Sequence, residues 1–334
     1  HKVPKKERYE KYEYSYTSDN SPVSRLHFRT IAKRIVDYFK IFKPLDFNAI
    51  IIHNGGWPAA KKTRSAALAA KIAKINKIVY VIHSFPQPVR YLTFFQERLL
   101  SYIINKICIL RTVSYECANA LINSARLKSI KVIYNGIRDV TYNNKITRSE
   151  LDIGLNNYVL ITVGTLNERR GHLMLLEIFA ELVEKVPESV LLIVGTGLDS
   201  EINLIKERIK YLRLTNQVKI LGFRNDVPSL MYLSDVVVNP VQMYESFGLV
   251  AVEAMAMKRV VVSSSVGGVL EVVSDGTSGF LFNPNDQQGF LDCFIKLRSS
   301  PNLRRQMGVA GFNRYKKLFL AKKMSHCYWQ LLKN

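Results

Sequence analysis

The stretch "YESFGLVAVEAMA", residues 244–256, sets two carboxylates, Glu245 and Glu253, into an otherwise apolar run with Gly248 between them. From Gly248 onward, Leu249, Val250, Ala251, Val252, Ala254, Met255 and Ala256 suit a helix and are apolar on nearly every side, which predicts a buried helix. Glu245 then lies just before the helix and Glu253 on its second turn. A buried carboxylate without a partner is costly, so each acid should meet a donor from the protein or from a bound ligand. On this stretch alone, capping or salt-bridged acids explain the pattern as well as a binding role does.

Working outward, short β-branched runs alternate with helical patterns. Residues 25–41 have helical spacing, "FNAIIIH" reads as a strand, "TRSAALAAKIAKI" as an Ala-rich helix and "IVYVIHSF" as a buried strand. Helix "YLTFFQERLLSYIINKI", strand "CILRTVS", helix "YECANALINSAR" and strand "IKVIYNGI" follow. Residues 141–157 are polar and read as a linker, and the first 20 residues carry no assignable pattern. The alternation then restarts with strands "YVLITVGTL", "VLLIVGTG", "QVKILGF", "VVVNP", "RVVVSSS" and "GFLF", helices between them, and two closing helices at 286–299 and 301–332. Strands of this kind alternating with helices predict mostly parallel sheets covered on both faces. Two such units predict two Rossmann-like domains with a cleft, and ligand sites at the strand-to-helix loops. None of these loops is a Walker loop or a GxGxxG.

The chain has 334 residues, 48% of them hydrophobic, enough for two cores. No apolar run reaches the roughly 18–20 residues that span a bilayer, and no secretory signal is visible. Cys108, Cys117, Cys293 and Cys327 lack the close spacing of a zinc site or a disulfide framework, so they read as reduced core thiols of a cytoplasmic protein. The net charge is +21 and lies mainly in the first part, where residues 1–150 hold 27 basic and 10 acidic residues (+17). That asymmetry predicts a polyanionic partner for the first domain: nucleic acid, an anionic membrane or a phosphorylated substrate. The absence of a nucleic-acid module argues against the first of these.

"VGTLNERRGH", "VGTG", "LGFRNDVPSLMYLSDVVVNP", "ESFGLVAVEAMAMKRVVVSSSVGGVLEVVSDGTSGFLFNPND" and the earlier "VSYECANAL…VIYNGI" occur in the order seen in retaining glycosyltransferases of family 4. From about residue 45 to the end the chain resembles that family. The resemblance implies a GT-B fold. Its parts would be an acceptor-binding Rossmann-like domain (1–142), a nucleotide-sugar-binding Rossmann-like domain (143–312), and a last helix (313–334) that crosses back to the first. The opening stretch resembles the family's E-x7-E signature. Glu245 would hold hydroxyls of the donor sugar and Glu253 the ribose hydroxyls, since a carboxylate accepts two hydrogen bonds from a diol. The Ser246, Phe247, Gly248, Leu249 and Val250 segment would put a helix N-terminus against the diphosphate.

In "VGTLNERRGH" the family usually has an arginine just after Gly164 and a lysine just before the second glycine; here Thr165 and Arg170 stand there, with Arg169 able to substitute. Gly195, from "VGTG", would also line the donor site, and Phe223 and Arg224 of "GFRND" would flank the base. His83 ends a strand where the family often has a histidine near the sugar, which makes Glu245, Arg170 and His83 the catalytic candidates. His53 with Gly55 and Gly56, and Asn135-Gly136, read as turns. The reaction implied is transfer from a nucleotide-diphosphate sugar, UDP favoured over GDP, to a hydroxyl of a glycan or lipid-linked acceptor, with no metal and no other cofactor. Cell-surface polysaccharide or lipopolysaccharide synthesis at an anionic inner membrane face would suit the charge. A nucleotide-sugar epimerase of the same architecture, or a catalytically silent partner subunit, are the alternatives. The chain begins with His1, and the family's opening strand, glycine-rich loop and second strand are not evident, so N-terminal residues are expected to be absent from this sequence.

Overall fold

The computed structural model describes residues 26–58, 60–87, 94–139 and 146–333. The unassigned first 20 residues, the start of helix 91–107 and part of the 141–157 linker lie outside them. The first domain opens with α1 (Leu26–Phe42), which packs on the Ala-rich α2 (Lys61–Ile72). Ala66, Ala67, Ala69 and Ala70 are buried there, and their small side chains let the helices approach closely. Strands β1 (Ala49–Asn54), β2 (Lys77–Ile82), β3 (Ile109–Thr112) and β4 (Lys131–Val132) form a four-stranded sheet in that order, all parallel. Helices α3 (Phe94–Ile107) and α4 (Tyr115–Ala125) connect them. The α4 N-terminus is capped by Ser114, whose Oγ accepts from the Cys117 amide at 3.1 Å.

The second domain has a six-stranded parallel sheet built from β5 (Tyr158–Val163), β6 (Ser189–Val194), β7 (Val218–Gly222), β8 (Val236–Asn239), β9 (Val260–Ser264) and β10 (Gly279–Phe282), in the order β10-β9-β8-β5-β6-β7. Every residue of β6, β8 and β9 is buried, the signature of strands covered on both faces. One face is covered by α5 (His172–Lys185), α6 (Asp199–Tyr211) and, later in the chain, α10 (Gln287–Ser299). The other is covered by α7 (Val227–Leu233), α8 (Leu249–Ala256) and the short α9 (Val269–Val272), with α11 (Pro301–Leu318) over α8.

The predicted closing helix 301–332 is two helices. The chain breaks at Phe319–Leu320, and α12 (Ala321–Lys333) follows. Tyr315 is still fully buried in the second domain's core, so the crossing occurs later than residue 313. Tyr328, Met324, Leu331 and Leu332 of α12 pack on Val79, Val81 and Ile133 of the first domain. The expectation of core thiols is met by Cys117 and Cys293, which are buried, but not by Cys327 of α12, which is exposed. The break is set by tertiary pairing: the Ile137 amide donates to the Phe319 carbonyl at 3.0 Å and the Ala321 amide to the Ile137 carbonyl at 2.8 Å.

Candidate functional site

Strands β8, β5, β6 and β7 are neighbours, so the loops that follow them emerge side by side at one end of the second sheet. From β8 the chain reaches Gly248, at φ +101°, and enters α8. Ala251, Val252, Ala254 and Met255 are fully buried, as their apolar character requires. The first-turn amides of Leu249 and Val250 have no carbonyl within the helix, which leaves donors and the positive dipole end at the loop. Glu253, one turn further, is half-buried; burial pushes its carboxyl above the ordinary range, and its side chain has no hydrogen-bond partner among the described residues.

Glu245 meets Arg170: Arg170 Nη1 donates to Glu245 Oε2 at 2.6 Å, with the side chains 19% and 14% exposed. Arg170 Nε is buried without a partner. Its guanidinium lies beside bare Gly164, where an added Cβ would come within 3.4 Å of Nε. Arg169 does something different: its Nη1 donates to the Tyr244 carbonyl at 2.7 Å and its guanidinium sits 4.9 Å from the Tyr244 ring centre. The adjacent arginines therefore divide their work, one on the acid and one on the loop that carries it. Thr165 is exposed, and its carbonyl lies 3.3 Å from His172 Nε2. Gly195 is fixed by close approach, since a Cβ there would fall 1.8 Å from the Gly164 carbonyl oxygen, with φ at +143°.

At the end of β7, Phe223 is 73% exposed. Arg224 is engaged by Asp226 through two hydrogen bonds, Nε to Oδ1 at 2.8 Å and Nη2 to Oδ2 at 2.6 Å. This pairing holds the Asp226 carboxyl below its usual range. Arg224 thus offers a neutralised planar group beside Phe223 rather than a free charge.

The first domain meets this loop directly. The Phe85 amide donates to Ser246 Oγ at 3.2 Å, and Ser114 Oγ donates to the Ser246 carbonyl at 2.7 Å. Ser246 is therefore held by interdomain contacts. Phe247 is buried against Tyr134 and Phe319, with ring centres 5.8 and 5.7 Å away. His83 follows β2, two residues before Phe85; its Nε2 lies 2.8 Å from Nδ1 of His53. Burial, with the neighbouring His53 adding to it, pushes the His83 imidazole down to about 4, so it is neutral at pH 7. His53 is thus more than part of a turn.

Several positions here were not singled out from the sequence. Gly267 and Gly268 lie under the acid loop, where an added Cβ would fall 2.3 Å from the Glu245 carbonyl oxygen and 2.4 Å from that of Ser246. The Gly268 amide donates to the Glu245 carbonyl at 2.8 Å. The Glu271 carboxylate accepts from the Tyr115 and Glu116 amides, both at 2.9 Å, and so binds the N-terminus of α4 across the domain boundary. The adjacent glycines of "SVGG" were the available signal; nothing local marks Glu271. Among the described residues no group of three or more His, Cys, Asp or Glu is placed to hold a metal ion, and no described helix is long and apolar enough to cross a membrane.

The chain is 32% identical over 184 residues to the N-acetyl-alpha-D-glucosaminyl L-malate synthase of Bacillus anthracis, covering 54% of this chain and 47% of that protein. It therefore spans about half the length of that relative. It is 24% identical over 307 residues to the UDP-Gal:alpha-D-GlcNAc-diphosphoundecaprenol alpha-1,3-galactosyltransferase of Escherichia coli, covering 86% of this chain and 77% of that protein. Anabaena HepE in complex with UDP matches with a TM-score of 0.77 at 25% identity, over 91% of this chain and 82% of that one. A glycosyltransferase of Rickettsia africae, at 20% identity, matches with a TM-score of 0.78 over 96% and 83% of the two chains, a likeness of fold. Two parallel-sheet domains with these neighbours make the fold GT-B. The family model described as Glycosyl transferases group 1 matches residues 143–314, more than half of the chain and the whole of the sheet that carries Arg170, Glu245 and Glu253, and the chain belongs to that family.

Proposed function

We propose that this chain transfers a hexosyl group from a UDP-sugar to a hydroxyl of a glycan or lipid-linked acceptor, with retention of configuration at the anomeric carbon. The observation that carries the reading is the grouping at α8: a helix N-terminus with free amides, Glu253 on its second turn without a partner, and the Glu245–Arg170 pair at its entrance. In this reading Glu253 accepts the ribose hydroxyls and Glu245 the sugar hydroxyls, while the α8 amides and Arg170 bear the diphosphate charge. UDP is favoured over GDP because HepE, at 25% identity, was solved with UDP and the Escherichia coli relative is named for UDP-Gal. The family 4 resemblance supports the same-face course. The bond from the anomeric carbon to the diphosphate oxygen breaks, the acceptor oxygen bonds on the same face, and the acceptor proton passes to the departing diphosphate. Donors preorganised on that oxygen stabilise the charge that develops there. No metal enters this scheme. Synthesis of a cell-surface polysaccharide or lipopolysaccharide at the cytoplasmic face of the membrane is the setting we assign.

A thermal-shift panel of UDP, GDP and their sugars tests the reading, because a ligand that binds only the folded state raises its melting temperature. A shift with UDP compounds, followed by acceptor-dependent UDP release, is expected. No shift with any nucleotide would refute the donor site. Binding without turnover would favour the silent partner subunit, and interconversion of the donor sugar without an acceptor would favour the epimerase.

A further inference from the structure

Helix α3 carries a second apolar stripe that the core does not use. Its inward face is accounted for by Ile104, fully buried, and by Glu97, 5% exposed and paired with Arg64. On the outward face, Phe95, Leu99 and Tyr102 are 85%, 60% and 55% exposed. Their i, i+4, i+7 spacing puts them in one line along the helix.

Beside that line lies a cavity of about 760 Å³, bounded by α3, the start of β3 and the segment after α4. Arg98, Lys106, Arg111, Arg126 and Lys128 line it, and among the described residues no Asp or Glu does. Lys106, Arg111, Arg126 and Lys128 form no ion pair with a described residue, and Arg111 is 8% exposed with its Nη1 donating to the Leu110 carbonyl at 2.7 Å. The wall is built: Asn105 Nδ2 donates to the Arg126 carbonyl at 3.2 Å, and its Oδ1 accepts from the Lys128 amide at 2.7 Å. The Lys106 ammonium sits 4.7 Å from the Tyr102 ring centre, which joins cavity and stripe. All this lies at the amino-terminal end of β3, away from the strand ends that face the donor site.

We propose that this face of α3 docks on an anionic lipid bilayer, with lipid headgroup phosphates entering the cavity and Phe95, Leu99 and Tyr102 entering the acyl boundary. Four cations, Lys106, Arg111, Arg126 and Lys128, that form no ion pair with a described residue attract a polyanion. Exposed aliphatic and aromatic side chains beside it are what a membrane-surface helix presents, and the two signals together make anchoring stable. Leu99, 60% exposed between the two rings, has no π-face to stack on a base and gains only from an apolar phase, which favours acyl chains over a nucleic-acid strand. The inference rests on the membrane setting proposed above and names the surface that would serve it; absence of vesicle binding by the parent with UDP binding intact would overturn the docking face and leave the donor site standing.

The test is flotation of the full chain with phosphatidylcholine vesicles, with and without phosphatidylglycerol. Two double variants at exposed positions accompany it, Lys106→Glu with Lys128→Glu, and Phe95→Ser with Leu99→Ser, with folding checked by circular dichroism. We expect binding to the phosphatidylglycerol vesicles alone, released by high salt and not displaced by millimolar inorganic phosphate. Each double variant should bind about tenfold more weakly, as loss of one of two anchoring signals requires. Equal binding to both vesicle types, no binding to either, or variants that bind like the parent would overturn the proposal. So would displacement by inorganic phosphate, or preferential binding of an oligonucleotide left intact by the Phe95 and Leu99 changes.

Discussion

Replacing Arg170 by Ala removes one partner of an ion pair 2.6 Å long whose side chains are 19% and 14% exposed. Two effects are separable. Glu245 is left without its cation, and breaking a fully buried pair costs about 3–5 kcal/mol; the residual exposure here lowers that to on the order of 1–3 kcal/mol. If Arg170 also stabilises the leaving diphosphate, turnover falls further, by roughly 10²–10³, as when a preorganised donor worth about 2.7–4 kcal/mol is lost. A cycle of Arg170→Ala, Glu245→Ala and the double variant distinguishes them, with melting temperature, UDP affinity and UDP release all measured. We expect a coupling of roughly 1–3 kcal/mol in stability, because the second change removes the acid that the first left unpaired. Turnover, by contrast, should stay low in the double variant, since neither sugar contact nor diphosphate contact returns. Turnover that recovers together with stability, or a folded Arg170→Ala protein within about threefold of the parent, would refute the catalytic reading and leave a structural ion pair.

Glu253→Gln should weaken UDP binding by about 1.5–3 kcal/mol, the value of a hydrogen bond to a charged group, with the fold retained; isothermal titration checks it. Because burial raises the Glu253 carboxyl, UDP affinity in the parent should fall on acidification at a pH above the ordinary 4.5, and Gln should flatten that limb. His172, 3% exposed, has its imidazole lowered by burial to about 4. Between pH 6.5 and 4 the unfolded chain binds this proton and the folded chain does not, so stability should drop by up to about 3 kcal/mol across that window, less in His172→Gln; melting curves against pH read it. Gly195→Ala should displace the Gly164 carbonyl or fail to fold, since the new Cβ would fall 1.8 Å from it; a soluble variant with unchanged UDP affinity would count against the close approach.

Most of the strands and helices were legible because a strand buried on both faces is mainly an apolar run, and β6, β8 and β9 are that, with buried Ser189, Asn239, Ser263 and Ser264 only at their ends. What escaped reading depends on partners distant in sequence. The pattern over 301–332 runs on without a Pro or Gly near residue 319, yet the helix breaks there because Ile137 takes both backbone groups flanking Leu320. Asn135-Gly136, read as a turn, is where the crossing backbone passes: a Cβ on Gly136 would lie 2.6 Å from the Leu320 carbonyl carbon. The polar segment read as a linker contains Arg148, which donates to the carbonyls of Leu233 and Asn157 and pairs with Asp235, so its visible end is fastened to the second domain. The acids of "YESFG" were legible as acids in need of partners, but composition could not say that Arg170 would serve Glu245 and Arg169 the Tyr244 backbone.

That division of labour bears on how the domains communicate. Residues 244–246 are fastened three ways: by Arg169 on the Tyr244 carbonyl, by the Gly268 amide on the Glu245 carbonyl, and by Phe85 and Ser114 of the first domain on Ser246. The first two fix the loop to its own sheet, and the third ties it to the facing strand ends. Glu245 stands between them, its carboxylate already on Arg170. A shift of one domain against the other therefore pulls directly on the residue beside Glu245. The interdomain contacts of Glu271 with the α4 amides lie on the same side and resist the same displacement. Position of the first domain and geometry of the acid–arginine pair are in consequence linked through the residues that flank Glu245: Ser246 by its hydrogen bonds with Phe85 and Ser114, and Tyr244 by its ring contact with Phe85.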